Sequence, residues 1–205
     1  MLYLTALQEG LLYGLLALGV YISLRVLDIP DLTTEGSFGF GSALAAVLAA
    51  GGHTYLSLPI AFLGGMAAGL ITGLLQTKLQ VHPVLAGIIT MSGLYSVNLI
   101  VRGGPNLSIG AANLFKQFYK ALHLTGDQRK VAGALLVLAI CLVVTLLLIV
   151  FFKTHVGLCI RATGDNQDMV RASSINVDAT LILGLCISNG LIGLAGALVT
   201  HYVGY

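Results

Sequence analysis

The 22 residues from Val131 to Phe152 contain no charged side chain. A bilayer's hydrocarbon core, about 30 Å thick, is crossed by roughly 20 apolar residues in a helix. In water such a helix would be apolar on every face, with nothing to cover it. The rest of the chain has the same character: 57% of its 205 residues are hydrophobic and 9% are charged. Soluble domains carry roughly 25% charged residues, so lipid is the solvent for which this chain is built. The fold class is all-α, a polytopic transmembrane helix bundle.

Six segments approach spanning length: 5–24, 36–51, 58–76, 83–101, 131–152 and 178–200. The second is short and rich in glycine and follows Pro30, so it is expected to be short or broken, tolerated at depth where protein or water surrounds it. Pro30 ends any helix before it. Thr33 and Thr34 are candidate N-caps, and Glu35 suits a helix N-terminus. In the longest polar stretch, 103–130, Leu114, Phe115, Phe118 and Leu122 share one helical face opposite Asn113, Lys116, Gln117 and Lys120. That pattern predicts a short helix on the membrane surface. Thr125 to Gln128 reads as a capping box for the fifth span. The start, Met1 to Glu9, has neither a basic region nor a cleavage site and reads as the first span.

Several functions are excluded or unsupported. No P-loop occurs, and Gly39-Phe-Gly41 lacks the third glycine and the strand of a dinucleotide fingerprint. A net charge of +2 gives no footing for a nucleic-acid partner. Cys141, Cys159 and Cys186 are too few and too far apart for a disulfide framework or a metal site. Alternating spans would put Arg25, Lys78, Lys153, Arg161 and Arg171 on one side, and Arg102, Lys116, Lys120, Arg129 and Lys130 on the other. Five cations on each side leave the positive-inside rule undecided.

Small residues form ridges for helix contact: Gly65, Gly69 and Gly73; Gly10 and Gly14; Gly190, Gly193 and Gly196. Ionisable side chains are absent from the interiors of spans three to five, which argues against a transporter that couples to its own ion gradient. Thr90, Ser92, Ser96, Asn98, Ser188 and Asn189 remain at depth, either as interhelical hydrogen-bonding groups or as the wall of a path for a polar solute. Residues 153–178 interrupt the apolar pattern with a helix-compatible run from Arg161 to Ser173. That run pairs Arg161 with Asp165 and Asp168 with Arg171, and it reads as a solvated linker or as a surface helix that docks another protein.

Here the chain resembles the permease subunits of ATP-binding-cassette importers, in the branched-chain amino acid, ribose and tryptophan/tyrosine group. The stretches that carry the likeness are VGLCIRATGDNQDMVRASSINVD with LGLCISNGLIGLAGALVTHYVGY, LALGVYISLRVLDIPDLTTEGSFGFGSALAAVL, and PVLAGIITMSGLYSVNLIVRGGPN. The resemblance implies that about 157–175 form a cytoplasmic coupling helix seated in a cleft of a separate ATPase subunit, with the N-terminus outside. The coupling residues would be Gly157, Arg161, Ala162, Asp165 and Asn166. The translocation path would include Asp31, Thr33, Thr34, Ser37, Asn98 and Asn189. It further implies a second permease copy, an external solute-binding protein, ATP used by the partner with no cofactor in this chain, no enzyme activity, and residence in a bacterial plasma membrane. The solute would be small and polar, an amino acid of aromatic or branched-chain type. A scaffold or receptor subunit, and an ATP-independent facilitator or secondary transporter, are the rival classes.

The chain departs from the group's pattern in two places. Ser173-Ser174 stand where Leu-Gly usually precedes the final Ile-Asn, and a left-handed residue there costs about 1 kcal/mol without glycine. Members of the group also continue for two or more spans beyond the position of Tyr205. The resemblance thus implies one permease domain over 1–205 that lacks C-terminal spans.

Overall fold

The computed structural model describes residues 2–104, 107, 109, 113–121 and 127–204. They form helices and connecting segments, with no strand among the described residues. The helices are α1 (Leu2–Tyr21), which ends in a wider π turn at Ile22–Val26, α2 (Thr34–Ala50), α3 (Thr54–Thr77), α4 (Pro83–Arg102), α5 (Leu114–Ala121), α6 (Asp127–Lys153), α7 (His155–Asp165), α8 (Gln167–Ala172) and α9 (Val177–Val203). Five of them are long and apolar enough to cross a membrane: α1, α3, α4, α6 and α9. The sixth segment is α2, unbroken but only 17 residues long, or about 25 Å at 1.5 Å per residue.

At the centre stands α9, packed on α1, α2, α3 and α7. Its small residues let backbones approach closely. A Cβ at Gly65 would overlap the Asn189 carbonyl, one at Gly69 the Leu185 carbonyl, and one at Gly73 would lie 3.1 Å from Ile182. These contacts run α3 antiparallel to α9. Along α2, Ser37 meets Asn189, Gly41 meets Gly193 and Ser42 meets Thr200, which sets α2 parallel to α9. The ridges of α3 and α9 are therefore packing within one chain. Gly10 and Gly14 differ, since a Cβ there would meet nothing within 4 Å.

The break expected in the second span falls just before it, in the connector 27–33. Leu27, Ile29, Asp31 and Thr33 are buried while Asp28, Pro30 and Leu32 are exposed, so alternate residues of the connector face the bundle. Asp28 takes a φ of 56°, a left-handed conformation that Asp tolerates better than most residues. This connector runs inside the bundle. Asp31 reaches Asn189, which lies about 18 Å along α9 from Val177 at 1.5 Å per residue. Helix α2 thus begins partway up α9 and spans only the upper part of the bundle.

The amphipathic stripe in 114–121 faces the bundle end. Phe115 is buried with Leu12, Leu15, Val137 and Leu198, and its ring meets that of Tyr202 edge-on at 6.1 Å. Leu122, and Thr125 and Gly126 of the expected capping box, lie outside the described residues. At the same end His201 is fully buried. Its Nδ1 accepts from the Leu114 amide at 3.4 Å, which leaves Nε2 to donate to Ser57 Oγ at 2.7 Å. The other end carries the ion pair of Lys78 and Asp178, 3.9 Å apart and solvent-exposed. It marks the C-terminus of α3 and the N-terminus of α9 as neighbours, together with α7 and α8.

Candidate functional site

The segment between α6 and α9 folds as two short helices, α7 and α8, and not as the single run expected from Arg161 to Ser173. Asn166 makes the break. Its backbone is extended at φ −160° and its side chain caps α8 by accepting from the Met169 amide at 3.0 Å. Thr154 caps α7 by accepting from the Gly157 amide at 3.3 Å. Gly157 is buried where a Cβ would overlap the Phe151 carbonyl, so glycine permits the sharp turn from α6 into α7.

One face of α7 is fixed to the bundle. Ile160 is fully buried with Leu27, Ile29, Val170, Val177, Leu181 and Leu185, and Ala162 packs against that cluster. The Thr163 and Thr180 hydroxyls lie 2.8 Å apart. A Cβ at Gly164 would overlap the Val26 carbonyl, which brings α7 directly against the end of α1. The opposite face presents Val156, Leu158, Arg161 and Asp165, continued by Gln167, Asp168, Met169 and Arg171, all exposed. Neither expected pair on this face forms an ion pair among the described residues. This face is ringed with charge and has an apolar centre, and it belongs to a unit gripped firmly from behind.

At the end of α8 the departure noted in the sequence has a structural counterpart. Ser174 sits at φ 60°, and the Ile175 amide reaches back to the Val170 carbonyl at 3.4 Å. Only glycine adopts this conformation without steric penalty. Ser174→Gly is therefore expected to stabilise the protein by about 0.5–1 kcal/mol, less the greater chain entropy of glycine when unfolded. The check is a thiol-reactive dye melt in detergent, in which the midpoint should rise.

Deeper in the bundle the residues named for the path divide. Asp31, Ser37 and Asn189 meet: Asp31 Oδ2 accepts from Asn189 Nδ2 at 2.7 Å, and Ser37 Oγ donates to Asn189 Oδ1 at 2.6 Å. Asp31 Oδ1 accepts from the Thr33 amide at 2.8 Å. Thr33 caps α2 by position but gives its hydroxyl to Thr72 at 2.8 Å. Asp31, Thr33, Ser37 and Asn189 are all buried, and apart from the Asp31–Thr33 bond within the connector each bond joins the connector or α2 to α3 or α9. Thr34 is half-buried at the start of α2. Ser188 donates to the Gly19 carbonyl at 2.7 Å and Thr90 to its own helix at Ala86, so both serve packing.

Asn98 lies elsewhere. It lines a cavity of about 580 Å³ between α2 and α4, with Glu35, Phe38, Met91, Tyr95 and Arg102 among its walls. Arg102 Nη2 donates to Ser42 Oγ at 2.5 Å and to the Gly39 carbonyl at 3.4 Å. Glu35, Tyr95 and Arg102 were not among the path residues expected from sequence. Each looks like a boundary or lipid-facing residue there, and only the pairing of α2 with α4 brings them together.

A bundle of apolar helices, five of them long enough to cross a membrane, with a deep polar joint and a charged, exposed face at one end, is the fold of a multi-pass membrane protein. Comparison with known proteins gives the family. Residues 2–205 match the family described as the permease component of branched-chain amino acid transport systems, and the chain belongs to it. This is a family of transport permeases, not of enzymes. The chain is 34% identical over 203 residues to a tyrosine transport system permease protein of Clostridioides difficile, covering 98% of this chain and 65% of that protein. It is 32% identical over 203 residues to an uncharacterized protein of Rickettsia prowazekii, covering 98% and 69%. A fructose import permease of Bifidobacterium longum is 28% identical over 204 residues, covering 98% of this chain and 55% of that relative. The chain thus spans about two thirds or less of the length of most of these relatives. No solved structure matches at the stringency that these relatives meet.

Proposed function

We propose that the chain is the membrane-spanning permease component of an ATP-driven importer for an amino acid in a bacterial plasma membrane. It works with a second permease copy, an external solute-binding protein and a separate ATPase, which alone uses ATP. The α7–α8 end is cytoplasmic in this reading. The observation that carries it is the double character of α7. Its outer face is exposed and charged, while its inner face grips the end of α1 and the connector 27–33 through Ile160 and Gly164. Force applied by an ATPase cleft at Arg161, Asp165 and Asn166 passes through Leu27 and Ile29 to Asp31, and so to the hydrogen bonds on Ser37 and Asn189. Two arrangements of that joint, biased by nucleotide on the partner, give the two-state coupling an importer needs. In this reading Asn98 faces the solute, and Asp31, Thr33, Thr34, Ser37 and Asn189 form the hinge beside the path. The amino-acid substrate is favoured by the family description and by the tyrosine permease relative.

The test is Arg161→Glu. Arg161 is exposed on α7, so the protein should melt as before. Like-charge juxtaposition in a partner cleft costs several kcal/mol, so ATPase co-purification and solute-stimulated ATP hydrolysis should fall at least about tenfold. Unchanged co-purification and stimulation would make the outer face of α7 a solvated linker and remove the coupling role.

A further inference from the structure

We propose that the cavity between α2 and α4 is a binding site for the α-ammonium and α-carboxylate groups of one amino acid molecule, held between Arg102 and Asn98. The proposal deepens the importer reading by assigning part of the solute recognition to this chain. Two buried polar atoms on the cavity's residues, Arg102 Nε and Asn98 Oδ1, have no hydrogen-bond partner among the described residues. One is a donor on a permanent cation and the other is a neutral acceptor. Both atoms are covered where they stand, and buried groups of this kind are rarely left unsatisfied; a turn of each side chain into the cavity would present them to a ligand offering both a carboxylate and an ammonium.

The charges around them fit the same ligand. The bond from Arg102 to the Gly39 carbonyl holds the guanidinium level with a residue one turn beyond Glu35 on α2. Glu35 lines the same cavity and pairs with no cation among the described residues. A cation and a carboxylate about one 5.4 Å turn apart along the helix frame a zwitterion with its carboxylate toward Arg102 and its ammonium toward Asn98 and Glu35. An anion lacking an amine would leave Asn98 Oδ1 unpaired and would face Glu35. A neutral sugar would leave both charges without counterpart. Phe38, Met91 and Tyr95 supply apolar wall for a side chain, and about 580 Å³ lies within the roughly 300–1,000 Å³ of small-molecule pockets. Gly39 keeps the space open, since a Cβ there would lie 2.9 Å from Asn98 Nδ2. The cavity also lies in the half of the bundle away from α7 and α8, where a solute enters if that end is cytoplasmic.

The experiment measures binding by this chain alone, in lipid nanodiscs, by saturation-transfer NMR. The probes are L-tyrosine and L-leucine, with tyramine and isoamylamine lacking the carboxylate, and 3-(4-hydroxyphenyl)propionate and 4-methylvalerate lacking the amine. At least one of the two amino acids should bind, and its truncated analogues should bind about tenfold more weakly or worse. Arg102→Gln should weaken the amino acid by a similar factor while leaving its amine-only analogue unchanged. Asn98→Leu should do the same while leaving the carboxylate-only analogue unchanged. That crossed pattern would not follow from a general loss of structure. Absence of binding by either amino acid, equal binding of the analogues, or insensitivity to both variants would overturn the site. ATP-dependent uptake in vesicles with ATPase and binding protein is read separately. Uptake without the crossed pattern sinks the site and keeps the importer, and the crossed pattern without ATP-dependent uptake sinks the importer and keeps the site.

Discussion

Exchanging the two partners at the buried Asp31–Asn189 contact is expected to restore most of the stability that either single change removes. In the native pair Asn189 Nδ2 donates to Asp31 Oδ2 at 2.7 Å, while Asn189 Oδ1 accepts from Ser37 at 2.6 Å. Asn189→Asp alone sets two carboxylates against each other inside the bundle, with no cation to separate them. Removing the compensation of a buried charge costs roughly 3–5 kcal/mol, so this variant should scarcely accumulate as folded protein. Asp31→Asn alone removes the charge and sets amide against amide. The loss of a charge-assisted hydrogen bond there is about 1.5–3 kcal/mol. In the double exchange an asparagine at 31 donates to an aspartate at 189, which still accepts from Ser37. The expected order of melting midpoints is native, exchange, Asp31→Asn and last Asn189→Asp. An exchange no better than the worse single variant would mean that the contact does not hold the connector to α9.

The second large effect lies at the glycine face between α3 and α9. Gly69→Val should destabilise the bundle by about 3 kcal/mol or more, at the upper end of overpacking penalties. The added Cβ would meet the Leu185 carbonyl and the Cα of Cys186, and backbone cannot rotate away as a side chain can. Cys186 is buried at this face. In a background with Cys141 and Cys159 replaced by serine, its reaction with a thiol dye reports the opening of α3 from α9. The midpoint should fall by roughly 6–12 °C, taking 2–4 °C per kcal/mol for a chain of this size. Gly10→Val is the contrast, because nothing within 4 Å of that position obstructs a side chain, and its midpoint should hardly move.

The membrane class and the positions of the long helices were legible in the sequence. A bilayer leaves backbone groups no partner but the helix itself, so length and hydropathy suffice to locate a span. The glycines of α3 and α9 were legible as ridges for the same reason. Whether a ridge faced another helix was not, and Gly10 and Gly14 carry the same spacing on an open side. Hydropathy alone does not report burial. Helix α6 has mean hydropathy 3.4 with 6% of its window buried, and α9 has 2.0 with 72% buried. Lipid and protein interior both accept apolar side chains, and the innermost helix needs small residues more than oily ones.

Two features were decided only by the tertiary structure. One is the depth of the connector 27–33, since the bond that holds it joins residues 158 apart in sequence. Pro30 announced a break but not that Asp31 would be carried to mid-bundle. The other is the cavity between α2 and α4. Glu35 looked like a helix-start residue and Arg102 like a loop cation, and no periodicity relates them. The sequence decides what is apolar enough to span, because that depends on the solvent around each segment. Which polar groups meet depends on helices crossing far along the chain, and that is fixed by packing.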